Sequence, residues 1–141
     1  MIRIAGLSDI DQVTEMAMKF ATTTNYADFV VESKVKEVVK SMLEKNIMEA
    51  IVLINDGVGL IAGTVIPFTY GHALMATEVA WWVDPEHRKT KAGIELLEAF
   101  EHWAKTVGCK LITMSCLDNK IAKYYTKKGY HLTERAYMKE I

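Results

Sequence analysis

Val83 to Leu97 reads VDPEHRKTKAGIELL, and the rest of the chain is arranged around it. The stretch joins an apolar, strand-like run, Val79 to Val83, to an amphipathic helix that opens at Ala92. Arg88, Lys89 and Lys91 lie in the link, just ahead of Gly93. The first N–H groups of a helix have no partner inside it and form the positive end of its dipole. Ala92, Gly93 and Ile94 therefore aim their amides out of the helix end, with three cations beside them. Such an end accepts an anion, a pyrophosphate above all. Taken alone, the loop reads more readily as a solvated basic turn, because a loop poor in glycine is a weak phosphate motif.

A second segment adds to the first. Asn119-Lys-Ile-Ala122-Lys-Tyr-Tyr125-Thr-Lys-Lys-Gly129-Tyr130 reads as a short helix and its exit. Asn119 suits the N-cap, Ala122 and Tyr125 share a helix face, and Gly129 suits a left-handed turn before a strand starting at Tyr130.

Together the two segments resemble the GCN5-related N-acetyltransferases (GNAT). The acetyl-CoA loop of that family carries Arg or Gln, two residues, Gly, one residue, then Gly or Ala. Here it reads Arg88-Lys89-Thr90-Lys91-Ala92-Gly93, with Lys91 in place of the first signature glycine. The family's other recurring segment matches at Asn119, Ala122, Tyr125, Gly129 and Tyr130. The likeness spans most of the chain and is specific between Glu78 and Tyr130.

The resemblance implies an α/β (α+β) fold with a mixed central sheet and helices on both faces. It implies acetyl-CoA as cofactor, bound through Trp82, Val83, Arg88, Lys89, Lys91, Ala92, Gly93, Ile94 and Asn119. The strand Glu78 to Val83 is expected to splay from Lys110 to Cys116, admitting the pantetheine arm, with main-chain groups near Trp82 and Val83 polarising the thioester carbonyl. Tyr125 matches the family tyrosine that protonates the departing thiolate; Tyr124 is its neighbour, about 100° away around the helix.

Glu78 is the candidate base, because it is the lone carboxylate on the central strand before the loop. Partial burial would raise its pKa towards the working range. A strand carboxylate is as often solvent-facing, and a bulge, common in this strand of the family, changes the face it occupies.

The composition bounds the other possibilities. With 141 residues, half of them hydrophobic and a quarter charged, the chain is expected to form one domain, 1–141, with a real core. Lysine and arginine (17) nearly balance aspartate and glutamate (18), so no long-range field favours nucleic acid or an anionic membrane. Cys109 and Cys116 flank one extended segment, too far apart to bond to each other, and no Cys/His cluster has metal-ligand spacing. The start MIRIAGLSD has neither a basic region nor an apolar core, and no apolar run reaches membrane-spanning length. A cytoplasmic location with reduced thiols is expected.

In chain order, Ile2 to Ile4 suggests a strand and Ser8-Asp-Ile-Asp11 a capping box opening a helix. A second helix is expected from Ser33 to Lys45. Tyr26 and Phe29, in the polar link Thr22 to Val31, read either as part of a substrate loop, as the resemblance suggests, or as core aromatics. Asn55-Asp-Gly57 reads as a hairpin turn between Ala50–Ile54 and Val58–Phe68. Ala73 to Val83 is a central strand, Ala92 to Val107 a helix, Lys110 to Cys116 a buried strand and Tyr130 to Ile141 one or two further strands. Two tryptophans, Trp81 and Trp82, either wall the acyl site or pack as core.

The function expected is acetyl-CoA-dependent transfer of an acetyl group to a primary amine of a small molecule, peptide or protein. The alternative is a non-catalytic module of the same fold that binds CoA or a protein partner. Nucleotide binding of the GxxxxGK[ST] kind lacks its motif. A possible sheet edge at the C-terminus makes a homodimer an expectation as well.

Overall fold

The computed structural model describes residues 1–141 and places five strands in one sheet, in the order β1-β2-β3-β4-β5. Strands β1 (Ile2–Ile4), β2 (Ala50–Asn55), β3 (Gly59–Pro67) and β4 (Leu74–Val83) pair antiparallel, and β5 (Leu111–Thr113) runs parallel to β4. Parallel neighbours need a crossover, which helix α3 (Ala92–Thr106) supplies. The other helices are α1 (Ile10–Ala21), α2 (Glu32–Glu44) and α4 (Asn119–Lys127).

Each face of the sheet has its own core. Val13, Met16, Val39 and Met42 of α1 and α2 bury Val52, Ile54, Leu60, Ala80 and Trp82. Leu96, Leu97, Phe100, Trp103 and Tyr125 of α3 and α4 bury Ile51, Leu53, Ile61 and Ala76. Strand β2 is covered on both sides, which explains its unbroken apolar run AIVLI in place of an alternating one. The hairpin between β2 and β3 turns at Gly57, whose φ of +69° is the left-handed conformation that the Asp-Gly signal implies.

A bulge interrupts β4. Ala62 faces Ala80 but Gly63 faces Glu78, so Val79 is the extra residue. The face alternation therefore restarts at Ala80: Val79 and Ala80 both border the α1/α2 side, Trp82 follows them there, and Trp81 and Val83 turn to the α3 side. Gly63 is required opposite the bulge, because a Cβ there would stand 2.5 Å from the Phe100 ring and 2.8 Å from the Thr77 carbonyl.

Several expectations are corrected. Ser8 forms no capping box; a single 3₁₀ turn, Leu7–Asp9, precedes α1, and Asp9 accepts the Gly6 N–H at 2.8 Å while Arg3 ties it to Asp56. Asp118, not Asn119, caps α4, accepting the Lys120 N–H at 2.6 Å; a carboxylate also complements the helix dipole. Strand β5 stops at Thr113 rather than Cys116. The tail from Tyr130 forms no strand, and Leu132, Tyr137 and Met138 stay exposed. Its polar run Thr133-Glu-Arg135 breaks the alternation after one apolar residue, and β5 offers an edge of three residues on which to pair.

Candidate functional site

Pairing between β4 and β5 runs from Met75/Leu111 to Thr77/Thr113 and then ends. From Glu78 onward β4 has a partner on the β3 side alone, so the two strands form a fork open toward the C-terminal end of β4. Glu78, Tyr125 and the start of α3 lie around this fork.

The main chain of β4 supplies polar groups to it. The Asp84 N–H donates to the Val58 carbonyl, so the two-residue alternation of an antiparallel ladder turns the peptide groups of Trp82 toward β3 and those of Trp81 and Val83 toward the fork. The Val83 carbonyl is taken by Arg88 Nε at 2.8 Å. The Arg88 guanidinium also lies 4.7 Å above the Trp82 ring, a cation–π contact that sets the loop against the strand end. Trp82 is buried on the α1/α2 face and donates to Asp84 Oδ1 at 2.7 Å, so it packs as core.

Helix α3 begins at the mouth of the fork. The Ala92 N–H reaches Thr90 Oγ1 at 3.2 Å, while those of Gly93 and Ile94 have no partner. Lys89 and Lys91 are exposed and meet no carboxylate, and Ile94 is exposed beside them. Lys91 sits at φ −81°, ψ 0°, a conformation open to any L-residue, so lysine replaces the family glycine without backbone strain. Gly93 faces the sheet: a Cβ there would meet Val83 Cγ2 at 3.5 Å and Trp81 Cζ2 at 3.6 Å.

Glu78 and Tyr125 meet inside the fork. The Ser115 N–H donates to Glu78 Oε1 at 3.2 Å, and Tyr125 Oη donates to the Ser115 carbonyl at 3.3 Å. Burial pushes the Glu78 carboxyl up to about 7, with the Ser115 N–H pulling the other way. Burial first, and the Glu78 charge second, push the Tyr125 phenol well above the ordinary tyrosine range, so it stays a proton donor. Its ring stacks on Trp81, centroids 6.1 Å apart, and leans on Tyr130 at 5.5 Å. Trp81 Nε1 is buried at this spot and has no hydrogen-bond partner.

Other expected residues lie elsewhere. Asn119 is exposed on the first turn of α4, and its side chain makes no hydrogen bond. Tyr26 and Phe29 are exposed rather than folded into the core. The sequence reading missed Ser115, whose backbone N–H and carbonyl join the two titratable groups; nothing in a serine beyond a strand end marks it. Both cysteines are free thiols, and partial burial, then Asp118 and Glu78, push Cys116 up, away from nucleophilic use. No cluster of His, Cys, Asp or Glu is placed to hold a metal.

The arrangement suits acetyl-CoA on three counts: unpartnered amides at the α3 start with free lysines for a pyrophosphate, strand groups facing the fork for an amide-bearing arm, and an orphaned indole N–H within it. The fork can hold an extended chain, a base and an acid, the last two linked through the backbone of one residue.

Comparison with known proteins identifies the family and the fold. A family model described as "Acetyltransferase (GNAT) family" matches residues 16–130. Solved structures similar to the chain include a transcriptional regulator from Bacillus halodurans C-125, at 19% identity and TM-score 0.78, covering 100% of this chain and 99% of that one. A GNAT family acetyltransferase from Staphylococcus aureus matches at 21% identity and TM-score 0.72, covering 100% and 98%. The aminoglycoside antibiotic 6′-N-acetyltransferase AAC(6′)-IG from Acinetobacter haemolyticus matches at 20% identity and TM-score 0.74, covering 100% and 99%. At these identities the likeness is one of fold. No curated protein matches the chain.

Proposed function

The chain belongs to the acetyltransferase (GNAT) family and is an N-acetyltransferase, and from that premise we propose that it moves the acetyl group of acetyl-CoA to a primary amine of a small molecule, peptide or protein. The observation that carries this reading is the fork itself, where β4 runs unpaired from Glu78 to Val83 between the amide-bearing start of α3 and the Glu78–Ser115–Tyr125 bridge.

When bound, acetyl-CoA supplies an activated thioester. The amides of Ala92, Gly93 and Ile94, with Lys89 and Lys91, hold its pyrophosphate, and Arg88 keeps the loop in place from its seat on Trp82 and Val83. The Val83 N–H is the strand donor for the thioester oxygen. Asn119, at the start of α4, contributes to the same cofactor surface. Glu78, poised near neutrality by burial, takes the proton of the incoming amine directly or through water. Tyr125, held protonated, donates to the leaving sulfur. Alignment of the reactants in the fork adds to the rate several kcal/mol worth of barrier lowering, on the order of 7–11 at best.

The whole span 1–141 acts as one domain in this reading. No helix is long and apolar enough to cross a membrane, and with two free thiols the setting we propose is the cytoplasm. The free edge of β5 and the exposed apolar tail suit a second copy of the chain, which light scattering against concentration tests. The function is tested by a thiol-release screen of the purified protein with acetyl-CoA against a panel of amines.

A further inference from the structure

A cavity of about 230 Å³ lies between α1, α2 and the sheet, lined by Ala17, Phe20, Val35, Val38, Leu60 and Val79 among others, with Lys34 the lone polar side chain. It is smaller than the ~300–1,000 Å³ of drug-sized pockets and suits a group the size of one aromatic or branched aliphatic side chain. Lys34 is already engaged, donating to Glu37 at 2.8 Å, so the lining offers neither a carboxylate nor a free cation. Two of its apolar members remain wet: Val38 is 44% and Val79 43% exposed.

Val79 connects this cavity to the fork. As the extra residue of the bulge it directly follows Glu78, and β4 has no β5 partner at either position. Their side chains take opposite faces, Glu78 toward Ser115 and Tyr125 and Val79 toward the cavity, and because β5 does not cover β4 here the open strand edge is the passage from one to the other. The exposed Tyr26, Phe29 and Val31 extend the apolar surface along the link that joins the two helices lining the cavity.

We propose that this cavity seats the body of the acetyl acceptor, and that the acceptor class is a primary amine on an uncharged apolar body, an arylalkyl or branched alkyl monoamine. This rests on the acetyltransferase reading above. A polycation such as an aminoglycoside finds no counter-charge in the lining, and burying its ammonium groups there costs too much. An apolar monoamine buries its body against Val38 and Val79 and leaves its nitrogen at the strand edge beside Glu78.

The test uses two measurements on the full chain. In the first, valine-methyl NMR of the protein without acetyl-CoA is titrated with 2-phenylethylamine, 3-methylbutylamine, ethanolamine and kanamycin. The expected result is saturable shifts at Val35, Val38 and Val79 for the first two amines and none at those methyls for the others. In the second, thiol release with acetyl-CoA should show kcat/KM at least tenfold higher for 2-phenylethylamine than for ethanolamine or kanamycin. Ala21 also lines the cavity, and Ala21→Phe, which adds a ring to that lining, should remove the preference. Thiol release that favours ethanolamine or kanamycin overturns the apolar class and leaves the acetyltransferase reading standing. Absence of release with every amine, together with absent CoA binding, overturns both. Equal preference in an Ala21→Phe protein of unchanged melting temperature, or valine methyls unmoved by the apolar amines, overturns the cavity as the seat.

Discussion

Glu78 and Tyr125 are joined through the backbone of a single residue, the carboxylate accepting the Ser115 N–H at 3.2 Å and the phenol donating to the Ser115 carbonyl at 3.3 Å. Ser115 lies just past the point where β5 leaves β4, so the proposed base and acid are positioned by the same divergence that opens the fork. Neither group is exposed enough to titrate as it does in water, and burial moves both in the same direction, upward.

A pH dependence follows for Glu78. Its carboxyl must be ionised to take a proton, so kcat/KM should rise with pH through a midpoint near the value of about 7. Glu78→Gln should flatten that limb and lower kcat on the order of 10²-fold. Stability gives an independent reading. Raised from its ordinary 4.5, the group binds a proton in the folded state that the unfolded chain releases, so its favourable contribution is complete below that value and disappears as pH rises through about 7. The melting temperature of Glu78→Gln minus that of the parent should therefore increase from about pH 5 to about pH 8. A difference constant across that range contradicts the raised value.

Tyr125→Phe keeps the ring against Trp81 and Tyr130 and removes the donor. It should lower kcat on the order of 10²-fold with CoA affinity unchanged, while Tyr124→Phe, on the adjacent half-buried position, does little. Stopped-flow thiol release and calorimetry on the two variants separate the outcomes. Because both substitutions delete one phenolic oxygen, a general loss of stability cannot imitate a selective loss of rate.

Ile94→Glu tests the cofactor end of the fork. The side chain is 40% exposed in the first turn of α3, where a carboxylate is favourable to the helix, so the fold is retained or gains slightly. The same charge opposes a pyrophosphate, and CoA affinity measured by calorimetry should fall at least tenfold, about 1.4 kcal/mol. Lys91→Gly, at a position with ordinary φ, should change affinity by less than that amount. Unchanged affinity in Ile94→Glu removes the phosphate from this helix end.

Gly63→Ala tests the bulge. A methyl there enters the Phe100 ring and the Thr77 carbonyl, so the strand pair must shift, at a cost of about 1–3 kcal/mol in urea unfolding. Since Gly63 stands opposite Glu78, the shift should also lower turnover more than it lowers CoA affinity.

Much of this architecture was legible in the chain. Helical spacing of apolar residues located α1 to α3 within a residue or two at most ends, and Asp56-Gly57 located the hairpin, because local propensity and burial agree there. The Tyr125 and Gly129 spacing pointed to the helix that carries the phenol. The bulge was anticipated through the family resemblance alone, because one extra residue in a strand leaves the run VAWWV looking like ordinary alternation. Ser115 was hidden because its role lies in its backbone N–H and carbonyl, which nearly every residue possesses. The C-terminal segment misled, since Tyr130, Leu132 and Tyr137 suggest strands, but a strand needs an edge, and β5 ends after three residues.

The most direct measurement mixes the purified protein with acetyl-CoA and 2-phenylethylamine and counts free CoA thiol against N-acetylated amine by mass spectrometry. The account predicts equal amounts of the two products, formed catalytically by the parent and on the order of 10²-fold more slowly by Tyr125→Phe. Thiol appearing without acetylated amine, or neither product appearing for any primary amine while CoA still binds, would contradict it.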